Sequence, residues 1–214
     1  MTATTTSEVA PAAGTAAPAL PTRIYGVAAV LAAILLVAST IAFIVRGGFT
    51  NDAMNNGILG GTLVVWTVFA LILTFAGVSR LMEPRFRRWS KALLILSATY
   101  AASVGFGLHS IDMEYYGRSF DADNELATGQ QVIGFFAMYP WGALGPVTFI
   151  LIGVLLWRAG QVPAWAGIVL VAGGVLFIPG REGNIGLTVA TDILLFVGLL
   201  AIARALLAAA RRDA

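Results

Sequence analysis

Long apolar segments alternate with short polar ones along most of this chain. A helix needs about 20 mostly apolar residues to cross the hydrocarbon core of a bilayer. Six segments reach or approach that length, at residues 24–45, 57–78, 92–109, 141–157, 164–178 and 186–207. The pattern therefore predicts an all-α fold, a polytopic membrane helix bundle with six transmembrane helices.

The composition fits a protein whose solvent is largely lipid. Of the 214 residues, 58% are hydrophobic and 11% are charged, whereas a soluble domain has about a quarter of its residues charged. Cysteine is absent, which excludes disulfides, thiolate catalysis and cysteine-ligated metal sites. The chain has one histidine, so a site with several histidine ligands would need a second chain. We accordingly expect no cofactor.

The same pattern divides the chain into three parts. Residues 1–22 are rich in Thr, Ala and Pro and contain one charged residue, Glu8, so we expect a disordered cytoplasmic tail. Residues 23–208 form the predicted six-helix transmembrane domain, with one long outer loop at 110–131, and residues 209–214 form a basic cytoplasmic tail. The first apolar run is longer than the core of a signal peptide, which favours a retained helix. Cleavage near the small residues 38–40 is the alternative.

Basic residues lie mostly on one side of the predicted spans. With the N-terminus inside, the cytoplasmic side holds ten of the 13 basic residues: Arg23, Arg80, Arg85, Arg87, Arg88, Lys91, Arg158, Arg204, Arg211 and Arg212. Cytoplasmic loops carry such an excess of Lys and Arg. We therefore predict cytoplasmic N- and C-termini and a multi-pass location in the cytoplasmic (inner) membrane. The net charge of +2 follows from this topology and gives no indication of nucleic-acid binding.

Aromatic and small side chains refine the predicted spans. Four tryptophans lie at span ends, where an indole ring prefers the level of the lipid headgroups: Trp89, Trp141, Trp157 and Trp165. Trp66 lies within a span, and we expect it to face a neighbouring helix. Glycines within spans allow helix backbones to approach closely. Those singled out by the sequence are Gly60, Gly61, Gly105, Gly107, Gly173 and Gly174.

Asp192 is the strongest candidate for chemistry, because it lies about six residues inside the sixth predicted span. A carboxylate at membrane depth is costly unless it faces a polar cavity, finds a partner or is protonated. One interpretation is a proton or cation site, or a contact for a polar ligand headgroup. The other is a structural hydrogen bond to a Thr or Ser on a neighbouring span. The sequence leaves both open.

A second candidate group lies on the outer side, at the end of the third span. If that helix continues, His109 and Asp112 share one face at i, i+3, where the carboxylate could orient the imidazole for acid–base work or metal binding. The alternative, which we favour, is an interfacial histidine near hydrated acids. Arg181 lies in the last outer loop, where it could pair with Asp192 or with an acid of the long loop.

The long outer loop contains alternating acids, Asp121, Asp123 and Glu125. Carboxylates at this spacing can bind calcium. However, an EF-hand-like loop would need a glycine at its sixth position and a Glu at its twelfth, where Leu126 and Val132 stand. We therefore interpret the segment as a solvated acidic loop, with a divalent metal site as the weaker alternative.

Residues 157–176 contain a span that ends in Arg158, a Pro-x-Trp-x-Gly turn at Pro163, and a following span with paired glycines at Gly173 and Gly174. This run resembles a pattern in uncharacterised bacterial multi-span integral membrane proteins. The resemblance extends over helices four to six, about a quarter of the chain. It implies a membrane-embedded helical fold, and it carries no catalytic residues over.

Three functions remain open at this stage. The first is a membrane protein without enzymatic activity, an accessory or assembly subunit or a small sensor. Its partners would be membrane lipids and another membrane protein subunit or a second copy of the chain. The second is a small proton- or cation-coupled transporter or channel that uses Asp192. The third is an outer-face lipid-modifying enzyme that uses His109 and nearby acids. We favour the first because the sequence contains no catalytic motif.

Overall fold

The computed structural model describes residues 22–45, 57–101, 144–181 and 185–212. Most of the predicted N-terminal tail, the whole outer loop at 110–131 and the last two residues therefore lie outside the described residues. The same holds for Trp141, Gly105 and Gly107.

Helices account for nearly all of the described residues. They are α1 (Thr22–Val45), α2 (Gly57–Tyr100), α3 (Leu144–Arg158), α4 (Ala164–Arg181) and α5 (Ile185–Arg212). Three of them, α1, α2 and α5, are long and apolar enough to cross a membrane, and α3 and α4 contain shorter apolar stretches. The all-α prediction is confirmed for the described part of the chain. The length and composition of the helices indicate a membrane protein.

The predicted second and third spans belong to one element, α2, which breaks near its middle. Phe86 has φ −136° and ψ 54°, which is outside the helical region. Pro84 precedes the break; it has no N–H to donate, and its ring clashes with the carbonyl of the residue four positions earlier. The break divides α2 into a first arm, residues 57–85, and a second arm, residues 87–100.

The two arms of α2 lie side by side and antiparallel. The hydroxyl of Ser79 donates to the carbonyl oxygen of Ser90, and the hydroxyl of Ser90 donates to the carbonyl oxygen of Ser79, each at 2.8 Å. Farther along, the Ser97 hydroxyl donates to the carbonyl oxygen of Ile72 at 3.1 Å. A straight helix would separate residues 79 and 90 by roughly 16 Å. These hydrogen bonds therefore define a helical hairpin.

Aromatic rings connect this hairpin to α3. Phe75, in the first arm, makes edge-to-face contacts with Tyr100 of the second arm and with Phe149 of α3, at centroid distances of 5.8 and 5.4 Å. Such pairs contribute about 0.5–1.5 kcal/mol beyond the area they bury. The start of α3 thus lies beside the end of the hairpin, although the intervening residues are outside the described part.

Glycines set the contacts among the other helices. A Cβ atom at Gly153 of α3 would lie 2.7 Å from the carbonyl oxygen of Gly167 in α4, so the two backbones touch there. Gly173 of α4 packs against Leu195 of α5, and Gly198 of α5 packs against Leu170 of α4, which makes these two helices antiparallel. Gly173 therefore has the packing role that the sequence predicts.

The first helix closes the bundle, because α1 packs against both α2 and α5. Gly26 of α1 meets the side chain of Leu207 in α5, and Gly77 of α2 meets Tyr25. Each described helical segment contacts the next one along the chain, through the α2 hairpin, α3 and α4, and the last helix, α5, packs against the first, α1. Large side chains fill the centre, among them Phe75, Phe149 and Leu199.

The outer surface of the bundle is apolar. One stripe of α1 exposes Ile24, Val27, Leu31, Ile34 and Ile41. Trp66 is 60% exposed and contacts only the ring of Phe69 among the aromatic side chains described. The expectation that Trp66 faces a neighbouring helix is therefore wrong for this chain. Its hydrophobicity did not indicate an inward position, because a surface that faces lipid is as apolar as the interior.

Basic side chains gather at one end of the bundle. The Arg80 guanidinium lies over the ring of Tyr25 at 5.2 Å, and Arg85 donates to the carbonyl oxygen of Ala159 at 3.2 Å. These contacts place the start of α1, the turn of α2 and the end of α3 together, and Leu207 brings the end of α5 to the same place. The ten basic residues assigned to one side by the sequence all belong to these segments.

The hairpin in α2 can be tested by cross-linking, since the chain has no native cysteine. In a Ser79→Cys/Ser90→Cys variant we expect an intramolecular disulfide after mild oxidation, because the two Oγ atoms are 3.0 Å apart. The measurement is loss of maleimide-polyethylene-glycol labelling, reversed by reductant. Ser79→Cys/Ser97→Cys is the matched control, whose cysteines should stay reduced. Equal labelling of both oxidised variants would mean that α2 does not fold back.

Candidate functional site

Asp192 lies in α5 about two turns after the helix begins at Ile185. Its side chain is 2% exposed. Apart from Arg181, whose side chain is not described, the other Asp, Glu, Lys and Arg side chains within the described residues are exposed, so Asp192 is the one buried charged group among the side chains that the structure describes. The sequence-based choice of Asp192 therefore corresponds to a distinct feature of the structure.

Thr40 of α1 is a hydrogen-bond partner of this carboxyl group: its Oγ1 donates to Asp192 Oδ2. The register of the two helices explains the contact. Gly26 of α1 lies against Leu207 of α5, and a nearly equal distance along each antiparallel helix leads from that contact to Thr40 and Asp192. The partner is a Thr on another predicted span, as the structural interpretation of Asp192 requires.

The Thr40 hydroxyl lies within reach of two acceptors. Besides Asp192 Oδ2, the carbonyl oxygen of Leu36 lies 3.1 Å from Thr40 Oγ1. A hydroxyl has one hydrogen and can also accept. When Asp192 is ionised, Thr40 donates to it; when Asp192 is protonated, its O–H can donate to Thr40 while Thr40 donates to Leu36. The same heavy-atom geometry thus accommodates both protonation states of the carboxyl group.

Further small polar side chains lie near this pair along α1 and α5. We call Ser39, Thr40, Thr188, Thr191 and Asp192, which are all buried, the polar layer. The Ser39 hydroxyl donates to the carbonyl oxygen of Leu36 at 2.8 Å, within its own helix. The polar layer lies toward the end of the bundle opposite the basic residues, because α1 ends and α5 begins there.

Thr191 extends the layer toward α4. Its Oγ1 lies 2.8 Å from the carbonyl oxygen of Leu187 in its own helix and 3.1 Å from that of Leu176 in α4. Asp192 and Thr191, which are neighbours in sequence, therefore connect α5 to α1 on one side and to α4 on the other. Hydrogen bonds between membrane-embedded helices contribute about 0.6 kcal/mol on average. The layer joins three helices through its side chains.

The structure describes no contact between the polar layer and the other candidate site residues predicted from the sequence. His109, Asp112, Asp121, Asp123 and Glu125 lie outside the described residues. Arg181 is the last residue of α4, which continues three residues beyond the predicted end of that span, and its side chain is outside the described part. Within the described residues, no group of three or more His, Cys, Asp or Glu side chains could hold a metal ion.

The sequence did not single out Thr40, although one of its two interpretations of Asp192 was a hydrogen bond to a Thr or Ser on a neighbouring span. Hydroxyl residues occur in several of the predicted spans, and the helix pairing alone selects one of them. The available signal was the adjacent pair Ser39–Thr40 within an otherwise apolar segment, at a depth matching that of Asp192.

Comparison with known proteins adds no relative: no protein-family model, no curated protein and no solved structure matches this chain.

Removing the Thr40 hydroxyl should destabilise the bundle. We expect Thr40→Val to lower the free energy of unfolding by about 1–2 kcal/mol, because the buried carboxyl group loses a donor while the side-chain shape is kept. Titration with sodium dodecyl sulfate in mixed micelles measures this change. Ser39→Ala is the matched control, since its hydroxyl bonds only within α1 among the contacts described, and it should lose less.

A double-mutant cycle isolates the pair. Thr40→Val, Asp192→Leu and the double variant should give a coupling free energy of about 0.5–2 kcal/mol. Additive losses, or equal losses in Ser39→Ala and Thr40→Val, would show that the Thr40–Asp192 hydrogen bond does not contribute to stability.

Proposed function

We propose that this chain is an integral membrane protein without enzymatic activity, which acts as an accessory or assembly subunit or a small sensor of the cytoplasmic membrane. The observation that carries the proposal is the hydrogen bond from Thr40 to Asp192. The buried carboxyl group, which is the strongest sequence candidate for chemistry, is engaged in joining α1 to α5. That engagement supports a structural role.

The rest of the polar layer supports the same assignment. The Ser39 and Thr191 hydroxyls have acceptors among backbone carbonyl groups of the bundle. A general acid or base must lie within hydrogen-bond reach of the proton it transfers. The described hydrogen bonds of these side chains are instead directed between and along helices, the arrangement expected of residues that hold a bundle together.

We further propose six membrane spans with both termini in the cytoplasm. The two arms of α2, together with α1, α3, α4 and α5, supply six helical segments. The 18 residues of α4 extend about 27 Å, close to the roughly 30 Å thickness of the hydrocarbon core. The basic end of the bundle supports a cytoplasmic location for the α2 turn and for both chain ends.

A second candidate is transport of protons or cations through Asp192. The observation in its favour is the Thr40 hydroxyl, which lies between two acceptors and suits either protonation state of the carboxyl group. Intramembrane carboxyl groups often mark ion pathways. The third candidate, an outer-face lipid-modifying enzyme, depends on His109 and nearby acids and remains a prediction from the sequence.

The proposed role predicts a stable assembly. Native mass spectrometry of the protein, extracted in mild detergent from its own membrane, should show a second protein mass or a homo-oligomer. Asp192→Asn should reduce stability by about 1 kcal/mol or reduce that assembly, because the amide retains an acceptor for Thr40 but weakens a hydrogen bond to a charged group.

The Asp192→Asn variant also distinguishes the proposed accessory role from ion transport. In proteoliposomes driven by a pH gradient, we expect cation and proton flux no greater than that of empty vesicles for both the wild type and Asp192→Asn. Two results together would favour the transporter over our proposal. The protein would be purely monomeric, and it would show a pH-dependent flux that is abolished by Asp192→Asn and retained in Ser39→Ala.

The topology has its own test through single cysteines in the cysteine-free chain. Arg88→Cys and Arg212→Cys, both at exposed positions at the basic end, should react with a membrane-impermeant maleimide in inverted vesicles and not in intact spheroplasts. Ile185→Cys, which is at the other end and 47% exposed, should show the opposite pattern. Labelling of all three from one side would contradict the proposed spans.

A further inference from the structure

The turn of α2 carries cationic side chains that the fold does not use. Arg80 and Arg85, before the break, are engaged with the Tyr25 ring and the Ala159 carbonyl oxygen. Just after it come Arg87, Arg88 and Lys91, which we call the basic turn. All three are exposed, and the structure gives them no hydrogen bond or ion pair within the described residues.

The surroundings of the basic turn add positive charge. The contact of Arg85 with Ala159 brings the end of α3 beside the turn, and Arg158 is the residue before Ala159. Arg158 is exposed as well, and the one carboxylate in this part of the described structure is Glu83, also exposed. The second arm begins at the turn, and the partial positive charge of a helix start adds to that of its arginines.

Exposed tryptophans indicate where this group lies relative to the membrane. Trp89 lies within the basic turn, Trp157 lies near the end of α3 and Trp165 near the start of α4. Their side chains are 52%, 50% and 54% exposed. Indole rings accumulate at the headgroup level of a bilayer, so the basic turn is held at the depth of the lipid phosphates.

From this arrangement we propose that the basic turn, with Arg158 beside it, is a binding site for the headgroup of an anionic phospholipid. Guanidinium groups bind phosphate oxygens through paired hydrogen bonds, and Lys91 adds a point charge. The tryptophans favour a lipid over free phosphate, because their exposed rings offer apolar contact to the upper acyl chains. The proposal requires membrane embedding and is independent of the role of Asp192.

Native mass spectrometry with added lipid tests this site. The full-length protein in detergent is titrated with phosphatidylglycerol and, separately, with phosphatidylcholine. The site variant is Arg87→Gln/Arg88→Gln/Lys91→Gln. The matched control is Arg204→Gln/Arg211→Gln/Arg212→Gln, which removes the same charge from exposed positions of α5 at the same end.

We expect the wild type and the control to retain phosphatidylglycerol in preference to phosphatidylcholine. The site variant should lose at least about tenfold in apparent affinity for phosphatidylglycerol. Arg87→Lys/Arg88→Lys, which keeps the charge, should retain binding better than the glutamine variant. Thermal unfolding in detergent should be similar for all variants without lipid, and phosphatidylglycerol should raise the unfolding temperature of the wild type more than that of the site variant.

Several results would contradict the proposed lipid site. An equal loss in the α5 control would show diffuse attraction to the whole basic end. Unchanged binding in the site variant, or equal retention of phosphatidylcholine, would show that the basic turn does not select the anionic lipid. Displacement of the lipid by inorganic phosphate at the same concentration would indicate that the basic turn binds free phosphate and not a lipid headgroup.

Discussion

Close contact between helix backbones is the constraint on which the rest of this structure depends. In lipid, helices gain little by burying apolar side chains, because the surrounding acyl chains are equally apolar. Association must come from van der Waals contact and from polar groups inside the bundle. The mutual contact of Gly153 and Gly167, where each would place a Cβ atom within 2.9 Å of the other's carbonyl oxygen, brings α3 and α4 together at the level of the backbone. Gly26 and Gly77 let side chains of neighbouring helices, Leu207 of α5 and Tyr25 of α1, lie directly against the helix backbone.

The polar layer depends on these close approaches. A threonine hydroxyl reaches only a short distance from its helix, so Thr40 can donate to Asp192 because glycine packing holds α1 and α5 near each other. The pairing of Ser79 with Ser90 in the α2 hairpin has another cause, the break at Phe86, which lets the two arms lie side by side. Each such bond gives a polar group a partner in an apolar medium, so packing and hydrogen bonding support each other.

Charge gives the bundle two unlike ends. At the basic end, Arg80 and Arg85 hold neighbouring helices through a ring and a carbonyl oxygen, whereas Arg87, Arg88 and Lys91 remain directed to the surroundings. The polar layer lies toward the other end. The proposed structural role of Asp192 and the proposed lipid site therefore occupy different regions, and a substitution in one should leave the other intact.

The sequence by itself determined that the chain is helical and suited to a membrane, because length and apolarity are sufficient for a helix in lipid. It also located Asp192, since a carboxylate is conspicuous in an apolar segment. It could not determine which side of a helix faces inward, as the exposed Trp66 shows, because lipid and protein interior are equally apolar. Only the tertiary structure paired Thr40, among the available hydroxyl residues, with Asp192. It also showed that α2 folds back on itself through Ser79 and Ser90, and it distinguished the arginines near the α2 turn that contact the bundle from those that are exposed and make no described contact. Each of these depends on how the helices pack against one another, which is set by contacts between residues that are separated along the chain.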